Sequence, residues 1–214
     1  MSEHLRETVV LVHGLWLTGA ESTFLRRRLR ALGLDARQFR YRSVSESLDT
    51  TVQALHRFVI GVGAPVVHLV GHSLGGLVVL KLDECFPDLP PGRRVLLASP
   101  VAGSRSAERI AGLAFGRRIL GRSVHEAVLG RPGWRVVGRE VGVIAGSRGI
   151  GLGRLFTPLE VPHDGTVAVT ETRLVGAAHR LLPVTHLSLL FDRRTAAETV
   201  HFLVHGRFIG DILH

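Results

Sequence analysis

The chain has 214 residues, 45% of them hydrophobic, and carries a formal net charge of +9. That length suits one globular domain over residues 1–214 with a sizeable core, and it excludes two enzymes in one chain. The charge is almost wholly arginine, with Lys81 the only lysine, and it falls in short groups such as Arg26-Arg27-Arg28 and Arg117-Arg118. With no interleaved aromatic and basic stripe, no zinc spacing and no helix-turn-helix signal, nucleic acid is not an expected partner. A solvated surface accounts for the charge, and anionic lipid headgroups or acidic substrates are the partners it would serve.

In chain order, Thr8 to His13 reads as a β-rich strand and Glu21 to Leu32 as a helix, on the spacing of Phe24, Leu25, Leu29 and Leu32. Asp35 to Arg42 reads as a more polar strand, Leu48 to Val59 as a helix, Pro65 to Val70 as a buried strand and Arg94 to Ala98 as another. Glu140 to Ala145 and Arg180 to Val184 complete a set of six strands, and Thr195 to His205 is a final helix. Gly146 to Gly153 lacks the lysine and hydroxyl of a phosphate loop and reads as an irregular connection. Strand and helix alternation of this kind predicts an α/β fold: a doubly wound, mainly parallel six-stranded sheet flanked by helices. Ligands of such sheets sit beyond the carboxyl ends of the strands.

Gly71-His72-Ser73-Leu74-Gly75-Gly76 follows a buried strand and opens an apolar helix. This context predicts a sharp turn that holds the Ser73 hydroxyl exposed, with Gly71 and Gly75 flanking it because side chains there would collide. A serine alcohol needs a base, and the base needs a carboxylate to hold its tautomer. Of the twelve histidines, His186 lies at the carboxyl end of the last predicted strand, whereas His179 lies at the opposite end and His201 and His205 lie in the terminal helix. The acid belongs between serine and histidine in chain order. Asp164, opening the turn-like Asp164-Gly165-Thr166-Val167, takes that place, with Glu160 and Glu171 as substitutes. Asp83 and Glu84 lie beyond the first turn of the helix after Ser73 and point elsewhere. Oxyanion donors are expected from the Leu74 amide and, in the loop His13-Gly14-Leu15-Trp16, from the Leu15 amide, with His13 pinning that loop. Trp16 and Leu17 are candidates to line an acyl pocket, plain core packing being the alternative.

Pro100 to Trp134 is longer than one ordinary helix requires. Ile110, Leu113, Ile119, Leu120, Val124 and Val128 are interspersed there with Arg109, Arg117, Arg118 and Arg122, a pattern that fits two arrangements. One is an amphipathic lid over the site or on an anionic membrane; the other is a crossover helix packed on the sheet with its arginines outward.

These motifs resemble the α/β-hydrolase superfamily, and within it the small lipase-like serine esterases of bacteria, from Thr8 to about Arg207. The resemblance rests on His13 to Leu15, the Gly71 to Gly76 elbow, Asp164 to Val167 and Pro183 to His186, of which the elbow is the specific element. It implies hydrolysis of small-molecule or lipid acyl esters through an acyl-serine intermediate, with neither metal nor organic cofactor. Thioester hydrolysis and acyl transfer use the same groups, and a non-catalytic lipid- or protein-binding domain would keep the elbow as geometry alone. The chain departs from secreted relatives. Its N-terminus lacks a signal-peptide pattern, and with one cysteine, Cys85, it has no internal disulfide, so a reducing cytoplasm is expected, with any membrane contact peripheral.

Overall fold

Six parallel strands form one open sheet in the order β2-β1-β3-β4-β5-β6. The computed structural model describes residues 7–129, 133–150 and 159–211. The strands are β1 (Thr8–Val12), β2 (Asp35–Phe39), β3 (Val67–His72), β4 (Arg94–Leu97), β5 (Val141–Gly146) and β6 (Ala178–Leu182). Among the described residues the α-helices are α1 (Thr23–Ala31), α2 (Leu48–Gly61), α3 (Leu74–Cys85), α4 (Arg105–Ala111), α5 (Gly116–Val124) and α6 (Arg193–His205).

β1, β3, β4 and β5 are buried at every residue and mainly apolar, as burial on both faces of a parallel sheet requires. Successive side chains of a strand point to opposite faces, and β1 shows it directly. Val10 and Val12 join one core cluster with Leu69, Leu77 and Val78, on the side of α2 and α3. Val9 and Leu11 join the other, with Leu25, Leu29, Phe202 and Leu203, on the side of α1 and α6. Capping fixes three helix starts: Ser47 accepts the Thr50 amide ahead of α2, Ser104 the Ala107 amide ahead of α4, and Asp192 the amides of Arg194 and Thr195 ahead of α6. Asp83, on α3, does face away from the elbow. It takes the Arg94 guanidinium at 2.8 Å in a buried pair that ties the end of α3 to the start of β4.

β6 differs from its predicted span of Arg180 to Val184. It runs from Ala178 to Leu182, because Pro183 has no N–H to give a ladder and the chain turns there, the Val184 amide reaching back to the Leu182 carbonyl. His179 therefore lies inside the strand, and His186 lies on the loop beyond it. The segment 100–134 contains two short helices and a π-helical turn (His125–Leu129), while 130–132 fall outside the described residues. Gly146 closes β5, and the expected irregular connection through Gly153 is described only as far as Ile150.

The sheet order reverses between β1 and β3. Val12 pairs in register with Gly71, so the loop after β1 and the turn after β3 leave the sheet side by side. A ligand site is expected at such a switch point.

Candidate active site

Ser73 has φ 53° and ψ −122°, a left-handed conformation that a serine adopts only where its surroundings enforce it. The strand and the helix are what enforce it. The Ser73 amide is still bonded to the Leu97 carbonyl at 2.8 Å as part of the sheet, and the next residue already belongs to α3. Close packing explains the glycines. A Cβ on Gly71 would lie 2.5 Å from the Gly76 backbone, and one on Gly75 would strike the carbonyl oxygens of Val12 and His13. Gly75 thus makes room for β1 rather than for the serine. Gly76 admits the Ser99 hydroxyl. Ser73 occupies the N-cap position of α3 but makes no side-chain cap; the Gly76 amide donates to the Ser73 carbonyl at 3.0 Å, and the Leu74 amide is left without a backbone partner among the described residues.

Asp164 and His186 come together. His186 Nδ1 lies 2.7 Å from Asp164 Oδ2, and the His186 amide donates to the Asp164 carbonyl at 3.0 Å. A carboxylate accepts, so the proton sits on Nδ1 and Nε2 is left as an acceptor. The other carboxylate oxygen, Oδ1, accepts the amides of Thr166 and Val167, both at 2.8 Å. Burial alone would raise the Asp164 carboxyl. The adjacent His186, its hydrogen bond and the two amides outweigh that effect and hold the group below the usual carboxylate range. Gly146 makes this approach possible, since a Cβ there would come within 2.8 Å of Asp164 Cβ. Glu171 is engaged elsewhere, accepting the amides of Arg105 and Ala168, and Glu160 accepts the Thr170 hydroxyl.

The loop after β1 is held from three sides. The Tyr41 amide donates to His13 Nε2 at 3.3 Å, which leaves the imidazole proton on Nδ1, and Nδ1 donates to the Gly14 carbonyl at 2.9 Å. Because a trans peptide sets its C=O and N–H in opposite directions, fixing the Gly14 carbonyl also fixes where the Leu15 N–H points. Burial lowers the His13 pKa, which keeps the ring in this neutral form. The Tyr41 hydroxyl holds the His13 carbonyl at 2.9 Å and Ser43 Oγ holds the Trp16 amide at 3.1 Å. Among the described residues, neither the Leu15 nor the Leu74 amide has a backbone partner. Tyr41 and Ser43 went unnoticed in the sequence, since both reach the loop from across it with no local spacing to mark them.

Residues 9–207 match the profile described as the alpha/beta hydrolase family. The chain belongs to that family. No curated protein is similar enough in sequence to count as a match. Among solved structures the hydrolase is similar to the mature form of the Bacillus licheniformis lipase BlEst2. The TM-score is 0.73 at 17% identity, over 95% of this chain and 93% of that one. A metagenomic carboxyl esterase superposes with a TM-score of 0.65 at 19% identity, over 87% of this chain and 66% of that one. The RedJ thioesterase from the prodiginine biosynthetic pathway in Streptomyces coelicolor gives 0.60 at 12%, over 92% and 84%. At such identities the likeness is one of fold.

Ser73 and His186 share a wall of a cavity of about 400 Å³ in the hydrolase. Its lining is mainly apolar and includes Leu15, Trp16 and Leu17 from the loop after β1, with Ile110, Leu120 and Val124 from α4 and α5. Those two helices roof the cavity. The Trp16 indole N–H donates to the Ile119 carbonyl at 3.0 Å, and Ser106 on α4 donates to the Thr166 carbonyl at 2.9 Å, so the roof is fastened to both loops of the site. Among the described residues, no three His, Cys, Asp or Glu side chains gather where they could hold a metal ion, and no helix is long and apolar enough to cross a membrane.

His72, the residue before the serine, also belongs to this site. Its Nε2 donates to the His186 carbonyl at 3.1 Å, bracing the histidine loop, while its Nδ1 is buried without a partner. Burial, and then the nearby His186, depress its pKa to about 3. Below pH 6.5 the unfolded chain protonates this residue and the folded hydrolase does not, so stability falls as pH drops from there toward 3. His72 alone is expected to remove about 2 kcal/mol between pH 7 and 5. Urea unfolding at both pH values checks this: His72→Gln, which keeps a donor for the His186 carbonyl, should lose about 2 kcal/mol less than the wild type. Equal losses would refute it.

Proposed function

We propose that this hydrolase cleaves carboxylic esters with apolar acyl groups through an acyl-serine intermediate. The observation that carries the reading is that His186, paired with the buried Asp164 at 2.7 Å, lines one apolar cavity with a serine on a strained strand-to-helix turn. His186 Nε2 takes the Ser73 proton as Oγ attacks the ester carbonyl, and Asp164 stabilises the imidazolium that results. The negative oxygen of the tetrahedral intermediate is held by the amides of Leu15 and Leu74. His186 then gives its proton to the departing alcohol, leaving the acyl group on Ser73. Water, deprotonated by the same nitrogen, releases the acid and restores the serine. Trp16, Leu17 and the roof of α4 and α5 receive the acyl chain and keep water from it.

The test is hydrolysis of a p-nitrophenyl ester series from acetate to palmitate beside matched thioesters. Each methylene accommodated by the cavity is worth about 0.8 kcal/mol, so kcat/KM is expected to climb roughly fourfold per added CH₂ until the cavity is full. Faster turnover of thioesters than of esters would shift the reading to a thioesterase. A fluorophosphonate probe addresses the non-catalytic alternative, because a binding domain with the elbow as mere geometry would not be labelled at Ser73.

His13 is a positioning residue in this scheme. His13→Leu leaves the Gly14 carbonyl unheld, and the Leu15 amide loses its aim. The variant is expected to lower kcat by about 10- to 100-fold with KM little changed, short of the full loss of an oxyanion donor. A rise in KM at constant kcat would place His13 in substrate binding instead.

A further inference from the structure

We propose that the tip between α4 and α5 is a docking surface for an anionic lipid bilayer. Two properties of one short segment lead there. Residues 105–122 carry Arg105, Arg109, Arg117, Arg118 and Arg122 against Glu108 alone, five positive charges less one negative, for a net +4. All five arginines are exposed; Arg105 lies in the field of Glu171, and the other four have no ion pair among the described residues. Between them Leu113 and Ile119 are half exposed and Phe115 is 79% exposed.

Phenylalanine at position 115 is favoured by nothing inside the fold. Its φ is 64°, the left-handed region that bulky residues avoid, and its side chain has no packing contact sufficient to bury it. The tip is nonetheless a built feature. Gly116 lets α5 turn back closely on α4, since a Cβ there would collide with the Ile110 carbonyl. The same two helices supply Ile110 and Leu120 to the cavity, and the half-exposed Trp16 and Leu187 continue the apolar surface to the cavity wall.

A nucleic acid would use the arginines and leave the apolar tip without a role. An anionic bilayer uses both: guanidinium groups meet headgroup phosphates while Leu113, Phe115 and Ile119 enter the boundary with the acyl chains. The surface around the tip would then face the lipid, and the cavity would open close to membrane acyl groups. Docking stands apart from the chemistry at Ser73, and the experiment is arranged to keep the two separate.

Binding is measured by vesicle co-sedimentation of the full chain carrying Ser73→Ala, so that no lipid is consumed. Vesicles are phosphatidylcholine alone or phosphatidylcholine mixed with phosphatidylglycerol. The protein is expected to partition onto the mixed vesicles and to leave the neutral ones largely unbound. Arg117→Glu with Arg118→Glu should weaken partitioning by about 25-fold or more, each arginine near the surface being worth roughly fivefold. Phe115→Asn, whose asparagine tolerates the left-handed backbone, should weaken it by about tenfold through lost apolar burial. In the Ser73 background both sets of substitutions should leave hydrolysis of a soluble short-chain ester unchanged, and an unchanged thermal unfolding midpoint shows intact folding whether or not the ester reading holds. Equal binding to both vesicle types, or binding indifferent to both variants, overturns the proposal. So does tight, salt-sensitive binding of duplex DNA that ignores Phe115→Asn, with anionic vesicles left unbound.

Discussion

Ser73→Ala is expected to reduce ester turnover by about a millionfold, the size of effect seen when the nucleophile of such a triad is deleted. At 1.36 kcal/mol per factor of ten this is about 8 kcal/mol of barrier, more than any other single substitution here removes. The fold should not change with it. Alanine keeps the Cβ that Gly14 packs against, and among the described residues the hydroxyl makes no hydrogen bond, Ser73 not capping α3. The variant and the wild type should therefore unfold at similar temperatures, and the activity difference reads the chemistry alone. The variant keeps the Leu15 and Leu74 amides, proposed above to hold the oxyanion, and the apolar cavity, so on that reading a rate of about 10³ to 10⁴ over water is expected to remain. Turnover within a hundredfold of the wild type would show that some other group attacks the ester.

Elements whose local pattern and tertiary role coincide were legible in the sequence. β1, β3 and β4 are short apolar runs followed by glycine or helix signals, and each strand lies within a residue or two of where the pattern puts it, giving the six-stranded α/β sheet. β6 is an edge strand with most of its side chains partly exposed, so its apolar run Leu181 to Val184 reports the turn around Pro183 as much as the strand. That is why its span came out two residues late. The connection over 100–134 was legible as amphipathic, but two short helices and one long helix share the same spacing of apolar residues. Their separation depends on Gly116 and on Phe115 in a left-handed conformation, and periodicity sees neither.

The candidate site divides in the same manner. Ser73 stands out because its neighbours in sequence are its neighbours in space, and the close packing around the turn requires glycines at fixed offsets. Asp164 and His186 were reached through chain order, and a 2.7 Å hydrogen bond joins them across 22 residues. The groups that brace the site had no such route. Tyr41 acts on His13 from 28 residues away, Ser43 acts on Trp16 from 27, and His72 reaches the His186 carbonyl across 114. Tyr41 and Ser43 act where the ends of the paired strands β1 and β2 lie side by side, and His72 acts on the loop beyond β6, so none of the three is marked by local spacing. A sequence read as local patterns identifies the groups that would do the chemistry sooner than the groups that aim them.

Asp164→Asn provides the sharper test of that aiming, because the geometry dictates how the new amide must sit. Oδ1 of Asp164 receives two backbone N–H groups, so the asparagine carbonyl has to take that position and the NH₂ has to face His186 Nδ1. An NH₂ donates. Nδ1 must then accept, the imidazole proton moves to Nε2, and the nitrogen that should take the serine proton is blocked. About a 10⁴-fold fall in kcat is expected at neutral pH, with KM nearly unchanged, since no contact to the acyl cavity is lost. The two amides of Thr166 and Val167 remain satisfied, so this substitution should cost far less stability than Asp164→Ala, which leaves the buried Val167 donor without a partner at about 1–3 kcal/mol and the part-buried Thr166 donor unpaired as well. Kinetics and urea unfolding of the two variants therefore separate tautomer control from loop support. If Asp164→Asn kept more than a tenth of wild-type turnover, the orienting carboxylate would have to be another group, and Glu160 and Glu171, both now bonded away from His186, would have to move to supply it.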